Sequence, residues 1–303
     1  MTTIGKPPEF IPRSNAFVAR VYYKLMDFLR VSDNNIIQSG IYTCDIDGIT
    51  FVLDFSQKTH RSVCRAKQYE PDTTSVLKEI VEEGDIFIDI GANFGWYTLY
   101  MLVNGPPSIT VHAFEPFAES YKLLNQTVTI NKQQDRCKVY KVAVSDVDGE
   151  GMFKNFHGLD NMVNSLYPLA DHKYCEESVQ LMKLDTLVTE NIEIPAVIKC
   201  DVEGAELAVL QGSIELLANK VSPPIWFMEA NYETSGMAGF FPWQLIEFAQ
   251  RFNEYQGYFI RDRQVLDLPS LKSLRHGDTL ILAVEHIHRA RIDKANQANR
   301  RTS

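Results

Sequence analysis

The 303-residue sequence predicts an α/β fold with a mostly parallel sheet, and three features carry that reading. The apolar run Ile86-Phe87-Ile88-Asp89-Ile90 leads into Gly91-Ala92-Asn93-Phe94-Gly95, a turn bracketed by glycines. A helix-like run follows, and a second apolar run ends in Ala113-Phe114-Glu115-Pro116, with Glu115 20 residues after Gly95. Strand, tight turn, helix and strand in that order make a βαβ unit, which places a ligand site at the strand tips. From about residue 72 onward, strand and helix patterns alternate, as the crossovers of a parallel sheet require.

Taken in order, residues 1–13 hold three prolines and are expected to lack regular structure. Ser14 is a candidate cap for a helix with the stripe Val18, Val21, Tyr22, Leu25, Phe28 and Leu29. Asp47-Gly48 between two β-rich runs, Ile41–Ile46 and Ile49–Leu53, signals a hairpin. Residues 1–70 thus read as an N-terminal helix-and-hairpin appendage, 71–288 as the main domain and 289–303 as a polar, basic tail that frays. Asp72 or Thr73 opens a helix through Val81, ended by Gly84. Strands are expected at 86–90, 109–114, 138–144, 196–201, 224–229, 257–261 and 279–285. Helix 204–218 carries Leu207, Leu210, Ile214 and Leu217 on one stripe, and Trp243, Ile246, Ala249 and Phe252 mark the next helix. Only a polar loop around Pro269–Asp278 separates the last two strands, which permits an antiparallel final strand. Seven strands, five crossovers and a terminal hairpin describe a Rossmann-like sheet. The segment Ser145–Pro195 is unusually long for a crossover. It holds two short apolar runs, Met152-Phe153 and Val179–Met182, around a polar loop with His157, Asn161, Asn164 and Ser165. It reads either as a decorative hairpin or as a loop that carries specificity.

Hydrophobic residues make up 45% of the chain and charged residues 23%, as in a soluble globular protein. The net charge of −9 argues against a general nucleic-acid binder. The five cysteines form no CxxC and no paired spacing, so a reducing, cytoplasmic setting is expected. No apolar run reaches the ~18 residues of a membrane span, and the N-terminus shows no apolar signal segment.

The chemistry sits at the strand tips. A dinucleotide site wants a second glycine within the turn so that backbone can approach a pyrophosphate, and this chain has Asn93 there. S-adenosylmethionine has no phosphate. Glu115 is suitably placed to accept hydrogen bonds from its ribose hydroxyls, and Asp89 from its amino group. With Gly91, Asn93, Gly95 and Ala143 they form the expected cofactor-side set. The second informative stretch is Ile198-Lys199-Cys200-Asp201-Val202-Glu203-Gly204-Ala205-Glu206, where charges end an otherwise apolar strand. Buried charges are costly unless paired or used. Period two would project Lys199, Asp201 and Glu203 to one side if the chain stays extended.

Three pieces together resemble the FkbM-type S-adenosylmethionine-dependent methyltransferases: Asp89–Leu99, Ala113–Pro116 and Ile198–Glu206. Leu184-Asp185-Thr186-Leu187 is similar to a further element of that family, and the resemblance covers about residues 70–230. It implies a class I methyltransferase fold and O-methylation of sugars, glycolipids or natural-product hydroxyls. The acceptor is then a small molecule or glycan. Asp201 and Glu203 are the first candidates for general base, with Lys199 in support. A divalent cation held by Asp201, Glu229 and Asn231 is a less favoured route, and His157 and His172 are possible bases in the inserted loop. A nicotinamide-dependent oxidoreductase and a non-catalytic binding module on this fold are the alternatives. The absent glycine at position 93 and the Lys-x-Asp-x-Glu-Gly element speak against the oxidoreductase.

Overall fold

The computed structural model of the chain describes residues 36–38, 40–156, 174–270 and 273–302. The helix expected after Ser14 and the loop holding His157, Asn161, Asn164, Ser165 and His172 lie outside the described residues.

The first described unit is a three-stranded antiparallel sheet of β1 (Ile36–Gln38), β2 (Ile41–Ile46) and β3 (Ile49–Asp54). The β2–β3 turn is Asp47-Gly48, with φ of 49° and 80°, as the sequence led one to expect. A helix, Lys58–Ala66, follows and is cross-linked to β2 by a Cys44–Cys64 disulfide. This corrects the expectation of unpaired cysteines. The fold brings residues 20 apart in sequence to a Cα separation of 5.9 Å, a pairing no spacing motif announces. The unit packs on the same apolar cluster as the main sheet, with Phe51 stacked on Trp96 at 5.3 Å.

The main sheet then builds from β4 (Ile86–Ile90), β5 (Thr110–Phe114) and β6 (Cys137–Tyr140), all parallel. The strand expected at 138–144 is split. Its second part, β7 (Ala143–Val144), leaves this sheet and pairs with the insertion, an arm of β8 (Gly149–Phe156) and β9 (Tyr174–Met182). The main sheet resumes with β10 (Val197–Cys200), β11 (Ile225–Ala230), β12 (Tyr255–Arg261), β13 (Gln264–Asp267) and β14 (Asp278–Val284). Its order is β13-β12-β14-β11-β10-β4-β5-β6, with β14 antiparallel to both neighbours. This is the Rossmann-like arrangement expected, with β13 as an eighth strand. The β12–β13 turn uses Asp262 (φ 50°) and Arg263 (φ 57°), and without a glycine it left no hairpin signal.

The sheet is buried on both faces, so its strands read as apolar runs. Alternation sorts them: Phe87, Val197 and Phe227 face one cluster, and Ile88, Ile198 and Trp226 face the other. Helices Pro71–Ile80 and Trp96–Asn104 cover the first face, while Glu206–Gln211, Ile214–Ala218 and Trp243–Ala249 cover the second. The helix expected over 204–218 breaks at Gly212-Ser213, where the Ser213 hydroxyl donates back to the Val209 carbonyl at 2.7 Å. The supposed frayed tail is also corrected. Residues 289–302 continue the helix Glu285–Thr302, whose Ile292, Ala295 and Asn299 are buried. Arg291 forms a two-pronged pair with Asp85. No helix among the described residues is long and apolar enough to cross a membrane.

Candidate active site

The tips of β4, β5 and β10 open into one cleft. Of the cofactor-side residues expected from the sequence, Asp89, Gly91, Asn93, Glu115 and Ala143 line it. Gly95 does not. It caps helix Trp96–Asn104 from a left-handed φ of 90°. Gly91 has φ 79°, and its backbone N–H donates to the Phe114 carbonyl at 3.0 Å. A Cβ there would lie 1.9 Å from the Asp201 carbonyl oxygen, so only glycine lets β4 and β10 close together at the tip.

Asp89 is buried, and its Oδ2 accepts from the Thr98 amide (2.9 Å) and hydroxyl (2.6 Å). Burial nevertheless raises its carboxyl to about 6. Glu115 is 4% exposed, with Oε2 accepting from the Asn93 N–H at 2.8 Å and Oε1 from the Phe117 N–H at 2.9 Å. Burial outweighs both bonds and raises its carboxyl to about 7. Each oxygen keeps lone-pair capacity after one bond. Asn93 is left-handed (φ 48°), and its Oδ1 is buried without a hydrogen-bond partner.

At the other end of the cleft lies a charged cluster. Lys199 is 1% exposed, and its Nζ donates to Asp201 Oδ2 at 3.1 Å above the Tyr97 ring. Burial opposes its charge, but the carboxylates of Asp201, Glu70 and Glu229 hold its proton more tightly than usual. The chain does not stay extended to Glu203, because β10 ends at Cys200 and Glu203 is left-handed (φ 49°). The turn still delivers it: carboxylate oxygens of Asp201, Glu203 and Glu229 lie within 4.8 Å of one another. Burial and mutual repulsion raise the proton affinity of Glu203 and Glu229. Among the described residues, this trio is a set of acidic side chains close enough together to hold a cation. The Asn231 side chain caps helix Tyr232–Met237 by accepting from the amides of Glu233 and Thr234.

Sequence reasoning missed several residues here. Tyr69 lines the cleft, and Glu70 accepts the Tyr97 hydroxyl. Both precede helix Pro71–Ile80, whose start was expected at Asp72 or Thr73, and nothing before it marked a site. The arm adds Phe153, which meets Phe117 edge-on at 5.6 Å and lines the cleft near Ala143.

The family model of the methyltransferase FkbM domain matches residues 89–260. The chain is 29% identical over 153 residues to methyltransferase sdnD of Sordaria araneosa, a match covering 41% of this chain and 59% of that relative. Among solved structures it is similar to methyltransferase FkbM from Methylobacillus flagellatus KT, at 13% identity and a TM-score of 0.47. That match covers 87% of this chain and 60% of the other. A second similar structure is TYW2 of P. horikoshii in complex with MeSAdo, at 14% identity and a TM-score of 0.41, covering 90% and 83%. The family match extends over more than half of the sequence and includes both charged strand tips, so the chain belongs to the FkbM methyltransferase family.

Proposed function

We propose that this protein transfers the methyl group of S-adenosylmethionine to a hydroxyl oxygen of a glycan or small hydroxylated molecule. The observation that carries the reading is a single cleft with a carboxylate-lined donor end and, beside it, a charged acceptor end at the tips of β10 and β11. The residues present fit the donor. Glu115 suits two ribose hydroxyls and Asp89 an ammonium, while the orphaned Asn93 Oδ1 lacks a donor group. Asn93 also stands where a phosphate site would have glycine.

The bound donor supplies an already activated methyl group, so the protein's task is mainly alignment. As the carbon–oxygen bond forms and the carbon–sulfur bond breaks, the hydroxyl proton goes to a carboxylate. Asp201 and Glu203 are the candidates, since both line the acceptor end of the cleft. Lys199 orients Asp201 and offsets negative charge on the acceptor oxygen. The test is methyl transfer from labelled donor into a glycan and metabolite extract. Asp201→Asn and Glu203→Gln should lower transfer while leaving donor affinity unchanged. Label found mainly in nucleic acid or protein, or wild-type transfer by both variants, overturns the reading. The proximity of the Asp201, Glu203 and Glu229 oxygens favours a second reading, a divalent cation that holds the acceptor oxygen there. Loss of transfer in chelator with recovery in Mg²⁺ or Mn²⁺ would select it.

A further inference from the structure

Glu206 belongs to no role given so far, and its setting is unusual. It is the first residue of helix Glu206–Gln211, a position where an acidic side chain normally gains from the helix dipole while staying in water. Here it is 1% exposed, and burial raises its carboxyl to about 7. Its Oε1 reaches back to accept from the Gly204 N–H at 3.1 Å and the Val202 N–H at 3.4 Å, and its Oε2 is buried without a hydrogen bond. An ordinary cap does not need that burial.

The bonds it makes hold the turn between them. Glu203 (φ 49°) and Gly204 (φ 97°) are both left-handed, and for Glu203 that conformation is sparsely populated. Such residues persist only where their surroundings over-determine them. One constraint is Thr234, whose carbonyl oxygen would lie 2.7 Å from a Cβ on Gly204, so the turn cannot move toward helix Tyr232–Met237. The other is the Glu206 carboxylate, which holds the backbone N–H groups of Val202 and Gly204. Held by both, the turn brings the Glu203 carboxylate beside those of Asp201 and Glu229.

We propose that Glu206 is a positioning residue for methyl transfer: it fixes the Val202–Gly204 turn and so places the Glu203 carboxylate at the acceptor end. This rests on the reading that Glu203 acts on the acceptor. Glu206→Ala removes the clamp. Donor affinity by calorimetry should stay near that of the wild type. Label transfer into the extract should fall by about 10²-fold, the usual cost of misplacing a reacting group by an ångström. A crystal structure of the variant with S-adenosylhomocysteine should show Glu203 out of the left-handed region and away from Asp201. Glu206→Gln keeps an oxygen for the same two N–H groups and should retain most of the rate, whereas Glu206→Asp keeps the charge without the reach and should not. If the alanine variant fails to fold, the Gln and Asp pair decides alone: equal rates overturn the proposal. Wild-type transfer by Glu206→Ala, or an unmoved Glu203, also overturns it. Failure of the underlying reading looks different, because Glu203→Gln itself would then transfer normally.

Discussion

Glu115 is poised between protonation states, and that has a measurable consequence. Burial raises it to about 7 and Asp89 to about 6, while the amides of Phe117 and Asn93 and the Thr98 side chain favour the ionised forms. A carboxylate whose folded value is raised contributes stability fully below its unfolded value, near 4.3, and loses it as pH rises through 6 to 7. Donor binding has the opposite preference, since ribose hydroxyls and an ammonium both favour ionised carboxylates. Donor affinity should therefore rise from about pH 5 to about pH 8 and then level off, with proton release on binding at the low end. Glu115→Ala should weaken binding by ~1.5–3 kcal/mol per charged bond lost and flatten the pH dependence. Calorimetry across that range is the check, and a pH-independent wild-type affinity contradicts the assignment. Asp89, Asn93 and Glu115 were legible because strand period and turn spacing are local. Tyr69 and Glu70 were not, because their approach to the cleft depends on how distant elements dock. Glu206 was visible within the charged stretch, but its burial was not, and the local signal at Asn231 was that of a helix cap.

The C-terminal helix shows the same limit for an element. Its buried stripe is His288, Ile292, Ala295 and Asn299, at helical spacing but half polar, so the segment read as a solvated tail. The polar members hydrogen-bond inward instead of facing water. His288 Nδ1 accepts from the Val284 N–H and its Nε2–H donates to the Pro223 carbonyl, both at 2.9 Å. Asn299 accepts from the Ser75 hydroxyl at 2.6 Å. Burial lowers His288 to about 4, so its contribution is present above the unfolded value near 6.5 and is lost as pH falls toward 4. His288→Leu strands a buried N–H and carbonyl and should cost about 1–3 kcal/mol at neutral pH. The gap between wild type and variant in denaturant titrations should narrow as pH drops from ~6.5. A gap that is constant with pH would mean the histidine is only filling space. The Asp47-Gly48 hairpin, by contrast, was plain because both of its positive-φ positions carry residues that favour them.

For the molecule as a whole, the Cys44–Cys64 disulfide ties the N-terminal sheet to the helix that leads into Tyr69 and Glu70. It removes the cysteine argument for a reducing compartment. Cys64→Ser should lower stability by about 2–4 kcal/mol. Thiol titration of the denatured, unreduced protein should find two fewer thiols than after reduction; equal counts would show the bond does not form. The main-sheet plan was readable because alternation and crossovers follow from each segment's own pattern. The departure of β7 into the insertion was not, since it depends on a partner strand 38 positions away, Ala143 opposite Leu181.

The position of β14 bears on how the chain is made. It comes last in sequence among the described strands, yet it lies between β11 and β12, near the middle of the sheet. Until residue 284 has left the ribosome, β11 has one open edge and β12 lacks its link to the parallel strands. A nascent chain that has reached β11 therefore carries an unpaired apolar strand edge until β14 emerges. The cleft residues up to Glu229 all emerge before the strand that backs β11, so their final alignment waits for β14.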